Sequence, residues 1–183
     1  MLSEIKLDGF PKKQARKNDI HERYAAYIEE LLHKKITQEH ILRDPLAAGK
    51  LKDRINAFAG QYYHLLAYSI MSNHAHLHLD FSLQCPKDWD GFSLLPDYVN
   101  QATVIGKIKG GSSYDINKEI GRKGKLWRPG YYDRYMRNRK HLVTEFWYIL
   151  RNAENARLVK SWRDHPFTYG DPDLAGRRRG EGG

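Results

Sequence analysis

Cysteine is nearly missing from this chain: among 183 residues only Cys85 carries a thiol. A single thiol excludes an internal disulfide and any cysteine-based zinc cluster, and it suits a reducing cytoplasm. No apolar run approaches the length of a membrane span or of a signal-peptide core, so no membrane partner is expected. Internal repeats are absent too. Acidic residues are the minority charge, 22 against 31 Lys and Arg, which leaves a net charge of +9. The length fits one domain, expected over residues 1–170. Residues 171–183, rich in Gly, Asp, Arg and Glu, read as a disordered tail.

What is present is organised around Tyr68-Ser-Ile-Met-Ser-Asn-His-Ala-His-Leu-His-Leu-Asp-Phe81. From His74 onward it alternates, with His74, His76, His78 and Asp80 on one parity and Ala75, Leu77, Leu79 and Phe81 on the other. A period of two predicts a half-buried strand whose apolar parity packs on a core. The other parity sets three imidazoles and a carboxylate in a row. Alternate residues stand about 6.6 Å apart along a strand, close enough for two imidazoles to lean onto one metal ion. Tyr62 to Met71 supplies a partner strand, and Ser72-Asn73 a tight turn. The blander reading is a row of surface or hydrogen-bonded histidines.

The excess positive charge is concentrated. Between Gly106 and Lys140 there are eleven Lys or Arg against Asp115, Glu119 and Asp133. Tyr114, Trp127, Tyr131, Tyr132 and Tyr135 are interleaved with them. Cations that neutralise phosphates, mixed with rings on which bases stack, suit a groove for single-stranded nucleic acid. The candidate contacts are Lys107, Lys109, Arg122, Lys123, Lys125, Trp127, Arg128, Arg134, Arg137 and Arg139. A merely solvated basic surface is the competing reading.

Around these lie expected helices. Residues 2–7 suggest a short strand, and residues 19–35 a helix with Tyr24, Tyr27, Ile28, Leu31 and Leu32 on one face. Thr37–Asp44 opens like a capped short helix, and a further helix follows from Pro45 to about Ala59 with Leu46, Leu51, Ile55 and Phe58. Cys85–Gly91 reads as a loop. Leu94 to about Asn117 reads as helical in parts, interrupted at Gly110-Gly111-Ser112-Ser113. Gly121–Gly130 is a basic connection. His141 to about Ser161 predicts one long helix, on which Tyr148 and Asn152 stand one turn apart. The ordinary fate of such a tyrosine is a core ring with a wet hydroxyl.

Together these features allow a specific chemistry. A phenolate is a competent nucleophile, and a divalent ion held by two imidazoles and one oxygen ligand stabilises charge on a phosphate under attack. Mixed nitrogen and oxygen ligation suits Mg²⁺ or Mn²⁺.

At these residues the sequence resembles the single-tyrosine HUH transposases, most closely the REP-associated tyrosine transposases. Four ordered segments carry the likeness: Tyr68–Leu77, Leu126–His141, Tyr148–Val159 and Trp162–Tyr169, covering roughly residues 61–169. The resemblance implies an α+β, ferredoxin-like (RRM-like) sandwich with a central antiparallel sheet and packed helices. It implies His74 and His76 as metal ligands, Asn152 as the third, and Tyr148 as the nucleophile. The implied substrates are single-stranded DNA hairpins, cut and rejoined through a 5′-phosphotyrosine, by a nucleoid-associated cytoplasmic protein that could act as a homodimer. His78 has no role in that likeness. The sequence departs from the family pattern at Ser72 and Ala153, where Pro is usual, and at Arg157, where Gly is common. Two other functions fit some of the same residues. One is a nucleic-acid-binding protein on this fold without cleavage. The other is a metallohydrolase using the His row and Asp80 without a covalent intermediate.

Overall fold

A computed structural model describes residues 40–91 and 93–176. The expected strand at 2–7 and helix at 19–35 lie outside those residues, as does the start of the Thr37–Asp44 segment. Of that segment, Ile41–Arg43 forms a single 3₁₀ turn. Helix α1 then spans Pro45–Phe58, with Pro at its first position and the Asp44 carboxylate accepting from the Leu46 N–H at 2.8 Å. Both devices answer the same need, the unpaired N–H groups of a helix start. Ala47, Ala48, Leu51 and Ile55 form its buried face, whereas Leu46 is mostly exposed.

Strands β1 (His64–Ile70) and β2 (Ala75–Asp80) form the predicted antiparallel hairpin, turning through Ser72-Asn73. A short strand β3 (Thr168–Gly170) pairs antiparallel with the other edge of β1, giving a three-stranded sheet of order β2-β1-β3. The register slips between Leu65 and Ala67. That bulge turns Leu66 outward from the ladder, and its carbonyl accepts from the Asp171 N–H at 2.8 Å. It also moves Leu65 and Ala67, two residues of one parity, onto opposite faces of the sheet.

Each face carries its own helices. Leu65, Tyr68 and Ile70 pack with α1 and with Val104, Ile108 and Ile116 of α2 (Gln101–Glu119), against the partly buried Ala75, Leu77, Leu79 and Phe81. Ala67 packs on the opposite face with Phe146, Ile149 and Leu150 of α3 (Arg139–Leu150). The fold is therefore α+β, a three-stranded antiparallel sheet between helices. Among the described residues no helix is long and apolar enough to cross a membrane.

Two expectations are corrected. Gly110-Gly111-Ser112-Ser113 does not interrupt α2, which runs unbroken through it. Gly111 is where Arg54 of α1 crosses: a Cβ there would come within 2.9 Å of the Arg54 Nε, and Arg54 pairs with Asp115 at 2.5 and 3.1 Å. Ser112 is fully buried and bonded. Close approach, not a hinge, explains the small residues. The long helix predicted from His141 to about Ser161 is instead α3, a break at Arg151, and one turn, α4 (Asn152–Asn155). Asp171 caps a one-turn helix α5 (Pro172–Ala175), and residues 177–183 lie outside the described residues.

Candidate active site

The site lies where β2 meets the α3–α4 junction. His74 directly precedes β2, on which His76 and His78 share one face, with His78 opposite Ala67 and His76 opposite Ser69 of β1. The hairpin tip that starts this strand is anchored twice: the Leu42 N–H donates to the Ser72 carbonyl at 3.0 Å, and the His40 ring bonds the Ser72 hydroxyl at 2.7 Å. Ser72 thus has a side-chain contact of its own at the hairpin tip.

The His74 and His76 rings are near neighbours, with centroids 4.9 Å apart and planes nearly perpendicular. His74 Nδ1 donates to the Asn73 side-chain oxygen at 2.7 Å, which leaves the lone pair of that ring on Nε2. The Asn152 amide nitrogen lies 3.2 Å from His76 Nε2 and donates to it, so His76 also carries its lone pair on Nε2. The hairpin and the helix junction are 76 residues apart in the chain. Tyr148 completes the group. Its half-buried ring meets the edge of His76 with centroids 6.0 Å apart.

The helix break keeps Asn152 in place. The Arg151 N–H still bonds the Trp147 carbonyl at 3.1 Å, so the chain continues one helical turn past Tyr148 before α4 closes. After α4, Arg157 adopts a left-handed conformation with φ 57°. Its N–H bonds the Glu154 carbonyl and the Leu158 N–H bonds the Ala153 carbonyl, a helix-ending motif that normally takes Gly. Arg157 therefore holds a left-handed backbone conformation in which its Cβ is strained.

The residues present fit a divalent ion in one respect that this structure displays. Asn152 is 2% exposed, and its side-chain oxygen is buried with no hydrogen-bond partner. An orphaned buried oxygen is costly unless something else satisfies it. His74, His76 and Asn152 are thus the residues that could hold such an ion. Among the described residues no set of three or more His, Cys, Asp or Glu converges as a metal site. The full His–Asp row therefore does not act as one cluster. Asp80 instead caps the 3₁₀ turn that follows β2, accepting from the Ser82 N–H at 2.9 Å.

His78 turns out to be a core residue, 6% exposed. Burial holds its imidazole far below its usual range, at about 4, despite an opposing pull from Asp80. It is neutral at pH 7, and its Nδ1 is buried without a hydrogen-bond partner.

The basic segment between α2 and α3, residues 121–138, has no regular structure and forms a strap. Four of the predicted nucleic-acid contacts bond other groups of the protein. Lys109 reaches from α2 to the Arg128 carbonyl at 2.7 Å and to that of Gly130, and its desolvation lowers its pKa. Trp127 packs on the core and donates from Nε1 to Ser112 Oγ at 3.0 Å. Arg122 folds back on Asn117 and on the Gly124 and Lys125 carbonyls. Arg134 pairs with Glu145 of α3 at 2.8 Å. Lys107, Lys123, Lys125, Arg128, Arg137 and Arg139 are exposed, as are Tyr131, Tyr132 and Tyr135.

Sequence reasoning passed over Asn73, which it treated only as a turn former. A short amide directly before a His-x-His pair was the available signal. It also passed over the bond between Ser112 and Trp127, for which no local pattern exists. Comparison with protein-family models, with curated proteins and with solved structures returns no match.

Proposed function

We propose that this protein is a metal-dependent single-stranded DNA endonuclease and strand transferase of the tyrosine-nucleophile kind. The observation that carries the reading is the meeting of His76 with both Asn152 and Tyr148 across the hairpin and the α3–α4 junction. A divalent ion such as Mg²⁺ or Mn²⁺, held by His74, His76 and Asn152, would supply positive charge to a phosphate in the site. The chain's own residues do the rest. Asn73 orients His74 through its Nδ1 proton, and the Tyr148 oxygen loses its proton to solvent and attacks phosphorus. A P–O(Tyr) bond forms, the P–O3′ bond breaks, and the 3′ oxygen takes a proton. Return attack by a 3′-hydroxyl releases Tyr148 and rejoins a strand with no outside energy source. The exposed cations and tyrosines of the strap would receive the unpaired strand. On this reading the three-stranded sheet is the centre of a ferredoxin-like domain. A non-catalytic binder would leave the site assembly without a purpose. A metallohydrolase using Asp80 is disfavoured by the capping bond of that carboxylate.

The test is a labelled library of single-stranded hairpins incubated with Mg²⁺ or Mn²⁺, with a denaturation-resistant protein–DNA adduct as readout. Wild type should form the adduct, while Tyr148→Phe and His76→Ala should lose it. An adduct that persists in Tyr148→Phe would put the nucleophile elsewhere. Salt-sensitive binding with no adduct under any condition would favour the binder.

A further inference from the structure

Glu145 is chemically out of place. From Gly121 to Arg151 the chain carries nine Lys or Arg against two acids, Asp133 and Glu145. Glu145 stands three residues before Tyr148 on α3, one turn away and on the same side of the helix. A polyanion drawn to Tyr148 therefore approaches a carboxylate, an arrangement that repels the substrate unless something neutralises it.

The neutralising group comes from the strap. Arg134 Nη1 donates to Glu145 Oε2 at 2.8 Å, with the two side chains 33% and 17% exposed. The pair sits between the strap that bears Tyr131, Tyr132 and Tyr135 and the helix that bears Tyr148. A partly exposed ion pair is weak. A guanidinium matches a phosphate as well as it matches a carboxylate, since both offer two oxygens to its fork. Exchange of one anion for the other is therefore cheap, and it leaves the guanidinium next to the candidate nucleophile.

We propose that Glu145 is a placeholder that holds Arg134 at the tyrosine turn and yields it to a backbone phosphate when a single strand enters. Arg134 is then a substrate-positioning residue. This rests on the nucleic-acid reading above but not on cleavage. Binding breaks the ion pair and leaves Glu145 to take up a cation, so wild type releases fewer counterions than a chain lacking that carboxylate.

Equilibrium binding of a fluorescent oligothymidine strand, measured across a salt series, tests this. Glu145→Gln should bind several-fold tighter at low salt. Its plot of log affinity against log salt should be steeper by up to roughly 0.7, the increment for one more phosphate contact on a single strand. Arg134→Gln should bind more weakly with a slope no steeper than that of wild type, and Glu145→Asp should resemble wild type. The slope does not depend on the active fraction, and Glu145→Ala serves the same comparison if the Gln variant does not melt cooperatively. Weaker or unchanged binding in Glu145→Gln, with no steeper slope, would mean the pair only fastens the strap. A steeper slope without any adduct in the hairpin assay would sink strand transfer and leave this pair standing. An adduct with an unchanged slope would do the reverse. No salt-sensitive binding by any variant would overturn both.

Discussion

The β2–α3 site and the 121–138 strap were both marked by residue type, and the fold treats them in opposite ways. At the site, polar atoms stand on a strand and a helix, are largely buried, and meet one another. Asn152 and His76 bond across 76 residues. In the strap, polar groups stand on irregular backbone, and several of them bond neighbouring helices. Trp127 and Lys109 tether it to α2, and Arg134 tethers it to α3. The lesson is about what surrounds a side chain. A histidine on a strand inherits a direction from the pleat. A cation on a loop inherits none, and backbone carbonyls compete for it with any ligand.

The largest effect expected from this contrast is in the buried half of the site. His78 titrates at about 4 in the fold and near 6.5 when unfolded. Between those values the unfolded chain binds a proton that the folded chain refuses, so stability falls as pH drops from about 6.5 to 4. The loss amounts to at most about 3 kcal/mol. Denaturant titrations in chelator at pH 7 and pH 4.5 would measure it. His78→Leu should flatten that acid limb without loss at pH 7, since it also removes an orphaned nitrogen. An unchanged acid limb would mean that other groups set it, with the half-buried His165, whose pKa burial also lowers, the next to test.

The strap offers the next effect. Trp127→Phe keeps most of the packing but removes the N–H that Ser112 accepts, at a cost of about 1 kcal/mol. Ser112 stays bonded to the Lys109 carbonyl. Limited trypsin digestion should therefore cut faster between α2 and α3 while the hairpin and α3 remain protected. Uniform acceleration across the chain would show that strap and site are one cooperative unit.

The smallest change is a gain. Arg157→Gly relieves a left-handed residue and should stabilise by about 1 kcal/mol, read as a rise of a few degrees in melting temperature. No change would mean that the arginine side chain makes up for its own strain.

Much of this was legible before any fold was known, because it depends on neighbours in sequence. The hairpin followed from the alternation after His74 and from two turn residues. Helix α1 followed from Pro45 and its apolar spacing, and the one-turn relation of Tyr148 to Asn152 from helical periodicity alone. The rest depended on partners that sequence distance hides. The bulge at Leu66 decided which residues of β1 lie beneath α3. The crossing of Arg54 decided that Gly111 belongs inside a helix. The fold made His78 a core residue and set His76 beside Asn152. Sequence by itself determined local periods and caps, since these are set by bonds a few residues long. Only the tertiary structure decided which polar groups are buried, which bond one another and which remain for a ligand, because desolvation and close approach are properties of surfaces that meet.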